Sequence, residues 1–218
     1  MMHNKISTTF SDTSKERGFT FIEFIVIMSI FAIMSTVVLF NFKGFRSSVS
    51  VSNLVYDLAL EIKTAQTLGV SAPGGINSVI NAEPVITVLF DYSSGAFTNS
   101  FITFREMTGG SLGEYDQNND VMIRQSTVMG GVLDDICIQQ GQGQSSCSSL
   151  SGPVYISFRR PDPEPIITSQ SCGGGTLPGF SFSTCTGRLK INMHAKDDPM
   201  RAYSIIIEPS GQVHVSSV

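Results

Sequence analysis

From Phe19 to Phe40 the chain runs for 22 residues with one charged side chain, Glu23. As a helix rising 1.5 Å per residue this run covers about 33 Å, close to the thickness of a bilayer's hydrocarbon core. Lys15 and Arg17 stand just before it, and flanking basic residues favour a cytoplasmic N-terminus with the rest of the chain outside. A secretory signal orders its parts as charge, apolar core, then cleavage site. Here the small residue suited to cleavage, Gly18, precedes the apolar core. A cut at Gly18 leaves the apolar segment on the mature protein.

Glu23 is the second constraint. A carboxylate inside a membrane helix costs roughly 2.5–3.5 kcal/mol on insertion scales, and such residues are usually functional. Glu23 also lies near the residue that cleavage would make the new N-terminus. The ammonium of an adjacent copy could neutralise it, which requires a staggered assembly of helices. The plainer reading is a signal anchor tethering an unrelated domain.

The stretch Gly18-Phe19-Thr20-Phe21-Ile22-Glu23 resembles the type IV prepilin signature: glycine, phenylalanine, and a glutamate as fifth residue of the mature chain. The resemblance implies cleavage between Gly18 and Phe19 by prepilin peptidase, and N-methylation of Phe19. It also implies that Glu23 pairs with a neighbour's terminus during assembly. The implied partners are other pilins or pseudopilins, prepilin peptidase, an inner-membrane assembly platform and the membrane itself. The implied location is the bacterial inner membrane, then a pilus or secretion pseudopilus.

Past the apolar run, Val51, Leu54, Val55, Leu58, Ile62, Ala65 and Leu68 recur at spacings of three and four, the mark of one apolar helix face. Asp57, Glu61 and Lys63 fall off that stripe, and Gly69 reads as the helix stop. Many pilins carry a proline where this chain has Phe40, so a less kinked helix is expected, with any local melting in a fibre centred near Asn41–Gly44; the alternative is that Gly44 only marks the membrane–water boundary. Pro73-Gly74-Gly75 marks a turn. Strand-like runs follow at Val85–Tyr92, Phe97–Arg105, Val121–Val128, Val132–Ile138, Val154–Arg159, Arg188–Met193, Ala202–Glu208 and Gln212–Val215. The last two flank a turn at Pro209-Ser210-Gly211. The segment Arg160–Gly187 reads as a long loop. The expected fold class is α+β: a long N-terminal hydrophobic helix packed at its outer half on antiparallel sheet. The expected divisions are a leader at 1–18, a helix at 19–68 with 19–40 transmembrane, and an extracytoplasmic β domain at 69–218. Asn53–Gln66 and the C-terminal hairpin ending Ser210-Gly211-Gln212-Val213 resemble the GspH/FimT group of minor pilins and pseudopilins.

Charge and cysteines bear on the exported part. The net charge is −4, and loss of residues 1–18 brings it to −5. Phosphate attraction needs clustered Lys or Arg, so no nucleic-acid partner is expected. Cys137, Cys147, Cys172 and Cys185 are an even set, which outside the cytoplasm favours disulfides. Three pairings are possible, and the sequence-local one, Cys137–Cys147 with Cys172–Cys185, is preferred.

Asp116, Asn118 and Asp120 alternate as at the start of a calcium loop, without its central glycine or distal glutamate. His194 and His214 have no paired ligand spacing for zinc. There is no Gly-x-Ser-x-Gly elbow, His-Glu-x-x-His or phosphate-binding glycine loop, so neither catalysis nor a cofactor is expected. The rival readings are a minor pilin that captures DNA or a ligand, and a signal-anchored enzyme.

Overall fold

The computed structural model describes residues 18–71, 85–106, 114–141, 147–178 and 180–217, with the side chains of 40–48 outside the description. The leader up to Arg17, the turn at Pro73-Gly74-Gly75 and side-chain detail at Asn41–Gly44 lie outside the described residues. The chain forms two units, Met1–Lys43 and Gly44–Val218. Helix α1, Phe21–Ser71, contributes to both.

In the first unit, the helical stretch Phe21–Leu39 has mean hydropathy 2.5 and none of it is buried. It is apolar on every side, as a helix solvated by lipid is. Its hydroxyls are satisfied within the helix: Ser29 Oγ donates to the Val26 carbonyl at 2.8 Å, and Thr36 Oγ1 to the Ala32 carbonyl at 2.8 Å.

The second unit packs the outer part of α1 against two antiparallel five-stranded sheets. The strands are β1 (Val85–Ser93), β2 (Ala96–Glu106), β3 (Val121–Thr127), β4 (Gly131–Gln139), β5 (Ser148–Ser149), β6 (Val154–Phe158), β7 (Ile166–Ser169), β8 (Arg188–Ala195), β9 (Asp198–Ile207) and β10 (Val213–Ser217). One sheet has the order β3-β2-β1-β6-β7, the other β10-β9-β8-β4-β5. The predicted stripe Val51, Val55, Leu58, Ile62 and Ala65 is buried in the same cluster as Ile86, Val88, Phe90, Ile156, Ile191 and Ile205. That burial is the main force holding the helix to both sheets.

The two sheets read differently along the chain. In β8, Leu189, Ile191, Met193 and Ala195 are buried while the residues between them are only half-buried, the pattern of a strand with one core face. In β1, Val85 to Phe90 are all buried, because this sheet is covered on both faces. Its second face holds a small cluster of Leu89, Phe104 and Tyr155, with Ile102, Tyr115 and Phe182 packed on it. Phe182 stacks on Tyr155 with ring centroids 5.3 Å apart, and Tyr115 lies 4.9 Å from Phe104.

Five expectations from the sequence are corrected. The helix does not stop at Gly69 but reaches Ser71. Gly69 is instead a close-packing point, since a Cβ there would stand 2.7 Å from the Phe158 carbonyl oxygen. The segment 160–187 is not all loop: it contains β7, paired with β6, and isolated bridges Thr168–Thr184 and Thr176–Ser183. The two-residue β5 was not anticipated, and β9 starts four residues early. Glu61, placed off the apolar stripe, is buried. It accepts hydrogen bonds from Arg124 at 2.6 Å and from Thr103 at 3.2 Å.

A polar clasp closes the far end of α1. Lys63 Nζ donates to the Gly211 carbonyl at 2.9 Å, and Gln66 Nε2 to the Pro163 carbonyl at 2.6 Å. Gly211, at φ +81°, leaves no room for a Cβ beside Gln66 and Pro163.

Candidate functional site

The residues around Gly18 form a compact local device. Gly18 is exposed, with nothing among the described residues beyond its chain neighbours within 4 Å of where a Cβ would stand, and Phe19 is 82 % exposed. Thr20 is the residue before the helix. Its backbone N–H and its hydroxyl both donate to Glu23 Oε2 at 2.9 Å. In return the Glu23 N–H donates to Thr20 Oγ1 at 3.4 Å. This reciprocal pattern is a capping box, which satisfies donors that a helix start otherwise leaves open. Glu23 also sits at the positive end of the helix dipole, which favours a carboxylate there. Glu23 is therefore a cap within its own chain as well as a charge in an apolar run. The Thr-x-x-Glu spacing before an apolar run was the sequence signal for Thr20, and the sequence reading did not use it.

The other candidate residues lie in the second unit. Cys137 joins Cys147 with an S–S distance of 1.98 Å, and Cys172 joins Cys185 at 1.81 Å. These are the two sequence-local pairs. The second closes the loop that carries Phe182 onto Tyr155. Burial, with Glu114, Asp91 and Glu106 nearby, raises the Tyr155 phenol to about 12.

Asp116, Asn118 and Asp120 form a self-bonded turn. The Asp116 carboxylate accepts the Asn118 N–H at 2.9 Å and Asn119 Nδ2 at 2.6 Å, while Asp120 Oδ2 accepts the Asp116 N–H at 2.8 Å. The backbone bond from Asn118 is the leading cause that lowers the Asp116 pKa, with the Asn119 amide next. These oxygens face N–H donors of their own turn, an arrangement that explains the alternating acids without a cation. Among the described residues, no three His, Cys, Asp or Glu side chains are grouped to hold a metal. Of the sequence-predicted residues, Gly18, Phe19 and Glu23 belong to one unit, the cysteines and the acidic turn to the other.

Residues 13–39 match the family model described as the prokaryotic N-terminal methylation motif. No curated protein and no solved structure matches the chain. The matched stretch holds Gly18, Phe19, Thr20 and Glu23 and ends with the apolar segment. The chain carries a prepilin-type N-terminal motif on an apolar helix, and the motif is that of a prepilin peptidase substrate.

Proposed function

We propose that the chain is a structural subunit, a minor pilin or pseudopilin, of a type IV pilus or a type II secretion pseudopilus. It is stored in the bacterial inner membrane with its N-terminus in the cytoplasm and its sheet unit outside. Prepilin peptidase cuts between Gly18 and Phe19, and the Phe19 amine is methylated. The apolar helix then packs among the helices of other pilins at an assembly platform, with Glu23 set against a neighbour's terminus. The GspH/FimT resemblance of the outer helix and the C-terminal hairpin favours a minor subunit.

The observation that carries this reading is the methylation motif over residues 13–39, joined to a helix that exposes its apolar side chains throughout Phe21–Leu39. Among the described residues nothing beyond its chain neighbours stands within 4 Å of where a Gly18 Cβ would be, which suits a residue presented to a peptidase. The test is Gly18→Leu in the native host, read by mass spectrometry of membrane and fibre fractions. The parent is expected to begin at Phe19 and to enter fibres; the variant is expected to keep its leader and stay in the membrane. A variant that still enters fibres overturns the reading. An activity of the outer unit that survives the block would assign the chain to the anchored enzymes.

A further inference from the structure

Among the described residues of the 44–218 unit, the most exposed large apolar ones are Met200, 90 % exposed, and Met129, 78 % exposed. The backbone is built to place them. His194 pairs with Ala202, but the next pair in the ladder is Ala195 with Asp198. Residues 199–201 therefore bulge out of β9, and bulges re-aim the side chains they carry. Asp198 braces the bulge: its carboxylate accepts the Met200 N–H at 3.2 Å and Arg201 Nε at 2.9 Å. Met129 stands on the connection between β3 and β4, beside Gly130, whose carbonyl accepts the Lys196 N–H at 3.4 Å. Gly130 packs so closely on Ser50 that a Cβ would overlap the serine hydroxyl, and the adjoining Val49 is 41 % exposed. Val49, Met129 and Met200 thus share the end of the unit at which its packed helix begins.

We propose that this end rests on the bilayer while the subunit is stored, with Met129 and Met200 entering the boundary between headgroups and acyl chains. The inference rests on the function proposed above. Lipid is selected as the occupant by the tether: residues 40–49 alone join Ser50 to Leu39, the last residue of the candidate span. About ten residues reach at most roughly 35 Å even when fully extended. The Val49 end is therefore the anchored end, whereas the Ser210 turn lies at the other end of the long strands. Methionine is flexible and fits irregular apolar surroundings. The tip of the β8–β9 hairpin, residues 196–201, carries Lys196 and Arg201 against Asp197 and Asp198, so the charges of the tip balance. Contact through this tip then carries no net charge, and its apolar part is supplied by the methionines, with little dependence on lipid charge.

The full chain, reconstituted in phosphatidylcholine vesicles, tests this with one cysteine at a time at position 129, 200, 210 or 37, each carrying a nitroxide. The four native cysteines are held in disulfides. Collision with a water-soluble nickel complex is compared with collision with oxygen. Met129→Cys and Met200→Cys labels are expected to be several-fold less accessible to nickel than the Ser210→Cys label. Replacing a quarter of the lipid with phosphatidylglycerol is expected to leave that ratio unchanged. Equal nickel access at 129, 200 and 210 overturns the proposal. So does protection that appears only when a second pilin is added, which would assign this end to a subunit contact. Val37→Cys, within the span, separates the premise: nickel access there defeats the membrane-stored reading as well, while protection at 37 with open access at 129 and 200 defeats this inference alone.

Discussion

A carboxylate at the mouth of an apolar helix needs partners at each stage of its life, and Glu23 has some before any assembly. Both Thr20 donors fall on one oxygen, Oε2, and Oε1 accepts no hydrogen bond among the described residues. The cap therefore lowers the cost of a charge in the apolar run and leaves an oxygen for an incoming ammonium under the proposed function. Thr20→Val removes both hydrogen bonds of the hydroxyl and keeps only the backbone N–H bond to Glu23. Caps of this kind are worth about 1 kcal/mol, so the first turn is expected to fray in the variant, with Thr20→Ser restoring it. Amide exchange at Phe21–Phe24 in detergent-solubilised protein is the measurement. Unchanged protection in Thr20→Val would show that the first turn does not depend on this cap.

Elements differed in how far the sequence revealed them, and the difference follows the range of the interactions involved. β8 was legible because its alternation of apolar and polar residues records a single buried face. β7 was not: Ile166-Ile167-Thr168-Ser169 is four residues in a stretch rich in Pro, Gly and Ser, and only its pairing with β6 makes it a strand. The Gly18–Glu23 motif was legible because it is contiguous. Glu61 was misread because helical periodicity knows nothing of Arg124, which arrives from β3. That pair tests the element scale. Glu61 is nearly buried, whereas the Arg124 side chain is 63 % exposed, so the two truncations are unequal. Arg124→Ala leaves a buried carboxylate with only Thr103 and is expected to cost about 1–2 kcal/mol, more than an ordinary surface ion pair. Arg124→Ala combined with Glu61→Gln is expected to recover part of that loss, because an amide tolerates burial better than an unpaired charge. Urea midpoints of the four proteins give the coupling; strictly additive losses would mean that the pair is not coupled.

The whole chain has to satisfy two solvents. Residues 21–39 expose apolar surface that only lipid or other helices can cover, while 44–218 buries its own and adds two disulfides, which form outside the reducing cytoplasm. Their loops span 10 and 13 residues, and in the chain-entropy description each contributes roughly 2.5–3 kcal/mol. Loop length makes them near equals, but their neighbourhoods do not. Cys172–Cys185 holds the loop that lays Phe182 over Tyr155, and burial is the leading cause that raises the Tyr155 phenol to about 12. A phenol whose folded pKa lies above the unfolded value of about 10 adds stability that is complete below pH 10. That contribution is lost as the pH rises from about 10 towards 12, and Tyr155→Phe removes this dependence. Replacing Cys172 and Cys185 by serine is expected to loosen the Phe182 cover, bring the Tyr155 phenol back towards 10 and so shrink the alkaline loss that Tyr155 causes. Replacing Cys137 and Cys147 is expected to lower stability by a similar amount and leave the Tyr155 titration where it was. Phenolate absorbance followed against pH, with Tyr155→Phe subtracted in each background, distinguishes them. Equal movement of the Tyr155 titration in both serine pairs would mean that the disulfides act on the unit as a whole rather than through the aromatic cover.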